Sequence, residues 1–312
     1  MKKIIITFIG ALLLMGCNAQ TEEVQNTPGS SETAINTTQY LDIPYATVSD
    51  AQKLDIYLPD AMDKPVPVIV AIHGGEFIRG DKGDRQVDPM KEGVHRGYAV
   101  VSLNYRLSGE AIFPAAIQDI KAAIRWIRAN ADKYNLNPDK IAVWGNSSGG
   151  HLVSLAGTSG GVAELEDLSL GNAEFASNVQ AVVDWYGPIN FLKMDEQFTK
   201  SGKGVANHGE ADSPESMFMG AKIGDVPDEV KKANPETYIS ADDPAFFIQH
   251  GTLDRAIPTQ QSINFYNKLV PVLGEENVTL NLLKGARHAD PAFGTEENLD
   301  LVFTFLDKEL KE

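Results

Sequence analysis

The feature that most narrows the fold is a series of short apolar runs that do not alternate with polar residues. They are "VPVIVAIHG" (66–74), "YAVVSLNYR" (98–106), "KIAVWGN" (140–146), "VQAVVDWYG" (179–187) and "AFFIQHG" (245–251), flanked by "KLDIYLP" (53–59) and "VTLNLLKG" (278–285). A strand with one wet face alternates, whereas a run apolar on successive residues is covered on both faces, as in a parallel sheet. Helical segments separate the runs. In "FPAAIQDIKAAIRWIRANADKY", Pro114 suits a first turn, and Ile117, Ile120, Ile124 and Ile127 fall on one helical face. Strands alternating with helices predict an α/β fold, a mostly parallel, doubly wound sheet of about eight strands flanked by helices. Residues 190–244 break the rhythm: they are polar, rich in Gly, Pro and Met, and weakly periodic. They are expected to form a cap or insertion after strand six that covers the site, the plainer alternative being a structural excursion of short helices.

The start of the chain reads differently. Lys2 and Lys3 precede "IIITFIGALLLMG", 13 residues from Ile4 to Gly16. A membrane-spanning helix needs about 20 such residues, so residues 1–16 are expected to be a signal peptide. Leu14, Gly16 and Cys17 resemble a bacterial lipobox, in which the cysteine is lipidated; the alternative is an ordinary signal with a chance cysteine. Cys17 is the only cysteine, so the chain has no internal disulfide, and its one thiol stands where the lipid belongs. Residues 17–39 are polar and rich in Ser and Thr, as a flexible tether would be. That leaves 40–312 as the folded domain. The expected location is the bacterial cell envelope, with membrane contact only through the N-terminal lipid. A formal net charge of −16 argues against nucleic acid and anionic lipid surfaces as partners. An acidic substrate is not excluded, but nothing in the composition attracts one.

"KIAVWGNSSGGHL" reads as strand, tight turn and helix start, the setting that G-x-S-x-G requires. Side chains beside the nucleophile would collide in so sharp a turn, and glycine at both ends avoids this. Gly145 and Gly149 bracket Ser147; centring on Ser148 would need glycine at position 146, where Asn146 stands. Ser147 is therefore the expected nucleophile, and it needs a positioned base. Among the six histidines, His73 belongs to another motif, His151 follows the turn, His95 and His208 lie in helical and inserted stretches, and His250 ends a strand. His288, in the loop of "LLKGARHAD", can reach the top of the sheet and completes the chain order Ser–Asp–His. Asp254, in "HGTLDRAIP", stands just past a strand's C-terminal end and is the expected acid; Asp184 and Asp290 are the alternatives. "VIVAIHGGEF" supplies an oxyanion motif at Gly74, Gly75 and Glu76. The donors are expected to be the backbone N–H groups of Gly75, Glu76 and Ser148, each worth roughly 3 kcal/mol to a tetrahedral intermediate.

Together with "NYRL", "DWYGP" and "RHAD", these segments resemble the α/β-hydrolase superfamily, in its lipase/esterase branch with an H-G-G-G motif near strand three. "DWYGP" and "HGTLDRAIP" resemble the subgroup that includes bacterial acetylxylan and feruloyl esterases. The resemblance covers most of residues 50–310. It implies ester hydrolysis through an acyl-enzyme on Ser147, with short-chain esters of plant polysaccharide such as xylan as substrate. It implies no metal and no organic cofactor, and no metal-ligand spacing is present. Glu76 stands where the subgroup carries a third glycine; its N–H can still serve, while its carboxylate would repel acidic substrates or point away. An arylformamidase- or aminopeptidase-like amide hydrolase would share the triad, and a non-catalytic binding protein on this fold would be expected to lose part of it.

Overall fold

The computed structural model describes residues 38–312; the expected signal peptide, Cys17 and all but the end of the expected tether lie outside the described residues. Among the described residues one sheet holds β1 (Thr38–Pro44), β2 (Lys53–Leu58), β3 (Val66–Ile72), β4 (Ala99–Leu103), β5 (Leu136–Asn146), β6 (Ala181–Trp185), β7 (Ala245–Gly251) and β8 (Val278–Leu283). Their order across the sheet is β1-β2-β4-β3-β5-β6-β7-β8. β2 runs antiparallel to both β1 and β4, and every neighbouring pair from β4 to β8 is parallel. Helices α1 (Asp88–Lys91), α2 (Ala115–Ala129), α3 (Ala131–Tyr134), α4 (Ser148–Thr158), α5 (Phe191–Ser201), α6 (Pro214–Met219), α7 (Pro227–Ala233), α8 (Gln260–Leu273) and α9 (Glu296–Lys311) lie between and after the strands. This is the α/β-hydrolase architecture.

The non-alternating runs behave as their pattern requires. In β3, Val68, Val70 and Ile72 enter the core on one face, where α2, α4 and α8 pack, while Ile69 and Ala71 enter the core under α1 and α9. β1 is the exception to legibility. It begins at Thr38, inside the stretch expected to be tether, and its sequence TQYLDIP lies largely exposed at the sheet edge, so it carries no apolar run. Residues 190–244 contain α5, α6 and α7, three short helices. Phe191, Met194, Phe198, Phe218, Val230 and Ala233 are buried. Phe218 stacks on Phe77 with ring centroids 4.2 Å apart, which ties the insertion to the loop after β3.

A buried charge pair sets the loop after β4. Arg106, in "NYRL", donates from Nε and Nη2 to Asp119 of α2 at 2.9 and 2.7 Å. Asp119 also accepts from the Arg106 backbone N–H at 2.9 Å and from Gln52 Nε2 at 2.7 Å. Removing the guanidinium strands a fully buried carboxylate, which costs about 3 kcal/mol. Arg106→Leu should therefore lose about 3 kcal/mol of unfolding free energy in urea at an unchanged m-value. A loss below about 0.5 kcal/mol would show that the pair adds no more than a surface contact.

Candidate active site

Strand β5 ends in the nucleophile turn, and α4 begins at once. Ser147 sits between them at φ 52° and ψ −124°, a conformation that non-glycine residues adopt only under constraint. The constraint is crowding. A Cβ on Gly145 would lie 2.3 Å from the Gly149 carbonyl oxygen, and a Cβ on Gly149 would lie 2.3 Å from the Ile72 carbonyl oxygen. Only glycine fits at both, so the backbone folds back on itself and presses against β3. The Ser147 N–H donates to the Trp185 carbonyl of β6 at 2.9 Å, which fixes the turn from the other side.

The structure brings together the three residues expected to form the triad. His288 Nε2 lies 3.0 Å from Ser147 Oγ, and His288 Nδ1 lies 2.7 Å from Asp254 Oδ2. With Nδ1–H donated to the carboxylate, Nε2 is left to accept the serine proton. Asp254 Oδ1 accepts the backbone N–H groups of Ala256 and Ile257 at 2.8 and 2.9 Å. Oδ2 also faces Nε2 of a second histidine, His250, at 3.2 Å. Burial pushes this carboxyl up, but the hydrogen bonds and charge of His250 and His288 outweigh burial and hold it well below the usual carboxylate range. The acid stays ionised throughout the working pH range of a hydrolase.

The two alternative acids are engaged elsewhere. Asp184 is buried beneath α4, where it accepts from the Gly187 N–H at 2.9 Å and from Ser154 Oγ at 3.0 Å. Asp290 caps the turn after His288 by accepting from the Arg287 and Ala292 N–H groups, both at 3.1 Å. His95 is exposed, and three further histidines have structural partners. His73 stacks on Tyr105 at 4.5 Å, and burial lowers its pKa. His151 stacks on Phe191 at 4.7 Å, and burial lowers its pKa to about 4. His208 pairs with Glu215 at 3.1 Å.

Within the oxyanion motif, Gly74 plays a different part from its neighbours. The Gly74 N–H is not free: it donates to Gln86 Oε1 at 3.0 Å. Gly74 serves by being small, since a Cβ there would sit 2.7 Å from the Asn146 carbonyl oxygen. The N–H groups of Gly75, Glu76 and Ser148 have no partner among the described residues. Gly75, Glu76 and Phe77 have φ of 121°, 60° and 62°, and this run of positive φ turns the loop outward. The Glu76 carboxylate points to Arg79, whose Nη2 lies 2.9 Å away. The guanidinium thus neutralises the charge that stands where the third glycine was expected.

Three residues of the site escaped the sequence reading. His250 reads from the sequence only as a strand end, yet its Nε2 faces the same Asp254 oxygen as His288, and its Nδ1 lies 2.7 Å from Ser262 Oγ. Its place four residues before the acid is a signal that spacing alone could have raised. Tyr186 has φ 46° and sets its ring at 67° to that of His288, centroids 4.8 Å apart. Gln86 grips Gly74 and also accepts on its backbone carbonyl from Asn146 Nδ2 at 3.0 Å, coupling the oxyanion loop to the residue before Ser147. Tyr186 lies within "DWYGP", a segment that gives it no role by itself, and Gln86 has no sequence signature. Among the described residues, no group of three or more His, Cys, Asp or Glu side chains could hold a metal ion.

Comparison with known proteins agrees with the fold. The BD-FAE family model matches residues 54–269. The chain is 32% identical to Esterase LipQ of Mycobacterium tuberculosis over 80% of its own length and 57% of that protein's. It spans 57% to 61% of the lengths of the curated Mycobacterium tuberculosis relatives that match over most of it. Among solved structures it is similar to a truncated carbohydrate esterase from gut microbiota, with a TM-score of 0.79 and 33% identity over 88% of this chain and 97% of that one. It is also similar to a bifunctional GH43-CE protein of Bacteroides eggerthii, with a TM-score of 0.76 and 39% identity over 87% of this chain and 35% of that one.

Substitution separates the two buried acids. Asp254→Asn should lower kcat by about 10⁴-fold, because the amide cannot hold the working tautomer of His288. Asp184→Asn should leave kcat within a few-fold; a comparable loss there would make Asp184 the acid. Stability against pH gives an independent reading. Burial raises Asp184 from its ordinary 3.8 to about 7, so between those values the folded protein keeps a proton that the unfolded chain has released. Stability therefore falls as pH rises through that window, and the deficit is complete above it. Asp184→Asn should flatten that slope in urea titrations run from pH 4 to pH 7. An unchanged slope would mean that the carboxyl titrates normally.

Proposed function

The chain belongs to the BD-FAE family, and on that premise we propose that it is a serine carboxylic ester hydrolase removing short acyl groups, acetyl or feruloyl, from plant polysaccharide such as xylan. One observation carries the reading: a serine held at a strained turn within 3.0 Å of a histidine that is itself 2.7 Å from a buried, ionised carboxylate. Ser147 Oγ attacks the acyl carbon while His288 Nε2 takes its proton. The carbonyl oxygen becomes an oxyanion and is met by the N–H groups of Gly75, Glu76 and Ser148. The intermediate collapses, the ester C–O bond breaks, and the sugar hydroxyl leaves with the proton from His288. Water then attacks the acyl-enzyme with His288 as base, which releases the acid and restores Ser147. Asp254 stabilises each imidazolium without itself being protonated. The likeness to a carbohydrate esterase supports the sugar ester as substrate.

We propose further that Cys17 carries a lipid that holds the domain at the cell envelope. The support is the apolar run from Ile4 followed by "LLMGC". Cys17→Ser should move the protein from the membrane fraction to the soluble fraction, and an unchanged membrane fraction would remove the lipid anchor.

Acetate release from acetylated xylan tests the main reading. The wild-type protein should release acetate, and Ser147→Ala should lower the rate by at least about 10⁴-fold. Release that persists in the variant would exclude Ser147 as nucleophile. Turnover of small acetyl esters without release from xylan would keep the hydrolase and remove the polysaccharide. Turnover of amides in place of esters would favour an amide hydrolase.

A further inference from the structure

With a formal charge of −16, the molecule as a whole repels anions. One groove departs from that rule. It has a volume of about 950 Å³ and lies between α5 and α8, with Leu282 of β8 and the turn of Thr252 and Asp254 in its lining. Four lysines line it, Lys193, Lys200, Lys203 and Lys268, against the carboxylates of Glu196 and Glu236. Asp254 adds a third carboxylate, which faces two histidines. The groove therefore carries one positive charge in excess, four lysines against three carboxylates, on a strongly negative protein.

The ion pairs show which cation is spare. Lys193 and Lys200 share the single carboxylate of Glu196. Lys268 is paired with Glu236 at 2.7 Å, and Asn190 Nδ2 holds the same Glu236 oxygen at 2.9 Å. Lys203 has no carboxylate partner among the described residues. Its ammonium donates to the Thr252 carbonyl at 3.0 Å, which leaves donors turned to solvent and fixes the charge two residues from the triad acid. Gln260 and Asn264, hydrogen-bonded to each other at 2.7 Å, add carboxamides of the kind that bind sugar hydroxyls. Leu282 and Ile263 add apolar surface for a pyranose face. The acid that borders the groove is one imidazole ring and two hydrogen bonds from the Ser147 hydroxyl.

We propose that this groove is a subsite for a carboxylate-bearing sugar, a uronate unit of the same glycan whose ester is cut at Ser147, with Lys203 as its principal contact and Lys200 beside it. The proposal rests on the ester hydrolase reading for the identity of the polymer. It reverses the expectation drawn from composition, because attraction is set by local charge and not by the total. Surface cations are screened by salt, so the preference belongs to low ionic strength.

Binding to the Ser147→Ala protein tests it without turnover. The two probes are a neutral xylo-oligosaccharide and the same oligosaccharide carrying one uronate branch, each titrated by calorimetry at low and high ionic strength. The branched probe should bind about fivefold tighter at low salt. That advantage should vanish at high salt and in a Lys203→Gln background, and return with Lys203→Arg. Equal affinity for the two probes would overturn the proposal, as would a preference that survives Lys203→Gln. Hydrolysis of small acetyl esters by the wild-type protein is measured alongside. Its absence would overturn the hydrolase reading, whereas equal affinities with hydrolysis intact would overturn the groove alone.

Discussion

The top of the sheet depends on how closely the backbone can pass itself at the nucleophile turn. Gly145 and Gly149 leave room for the chain to fold back against the Ile72 carbonyl, and nothing larger would fit. Ser147 is then forced to a positive φ, with its hydroxyl projecting above the ends of the strands. Two neighbours share this strain. Tyr186 at the end of β6 has φ 46° and Glu76 after β3 has φ 60°. Each costs about 1–3 kcal/mol and persists only because the sheet beneath over-determines it. The clustering of strained residues at the C-terminal ends of three parallel strands is where open α/β sheets collect their ligand-binding groups.

Electrostatics completes what the backbone starts. Asp254 is buried, which alone would favour its neutral form, and the hydrogen bonds and charge of His250 and His288 reverse that balance. A permanently ionised acid keeps the His288 Nδ1 proton in place and leaves Nε2 to serve Ser147. Asp184, only one strand away, shows the opposite outcome. With two donors against full burial, it is raised to about 7. The two carboxylates thus differ in the character of their partners, two imidazoles for Asp254 against an N–H and a hydroxyl for Asp184, and the one with the imidazoles faces the base.

Much of this was legible in the sequence because it rests on local pattern. The non-alternating runs announce covered strands, and G-x-S-x-G together with the order Ser–Asp–His singles out Ser147, Asp254 and His288. What was hidden depends on long-range packing or on the absence of pattern. β1 pairs at an exposed edge and needs no apolar face. Gln86 acts through a contact that no spacing rule predicts, and His250, four residues before the acid, reads from the sequence only as a strand end. Gly74 belongs to the oxyanion motif without being one of its donors, and its N–H is committed to Gln86, a partner 12 residues away. The charge of the groove between α5 and α8 is invisible in composition, because Lys193, Lys200 and Lys203, on and just after α5, meet Lys268 of α8 only in the folded chain.

The central claim is that one serine, the one at the strained turn, is activated by His288. Labelling with a fluorophosphonate, followed by peptide mapping in a mass spectrometer, tests it most directly. The account predicts a single adduct on Ser147, formed in the native protein and lost when His288 is replaced by alanine. An adduct on Ser148, or on Ser147 at an undiminished rate without His288, would contradict it.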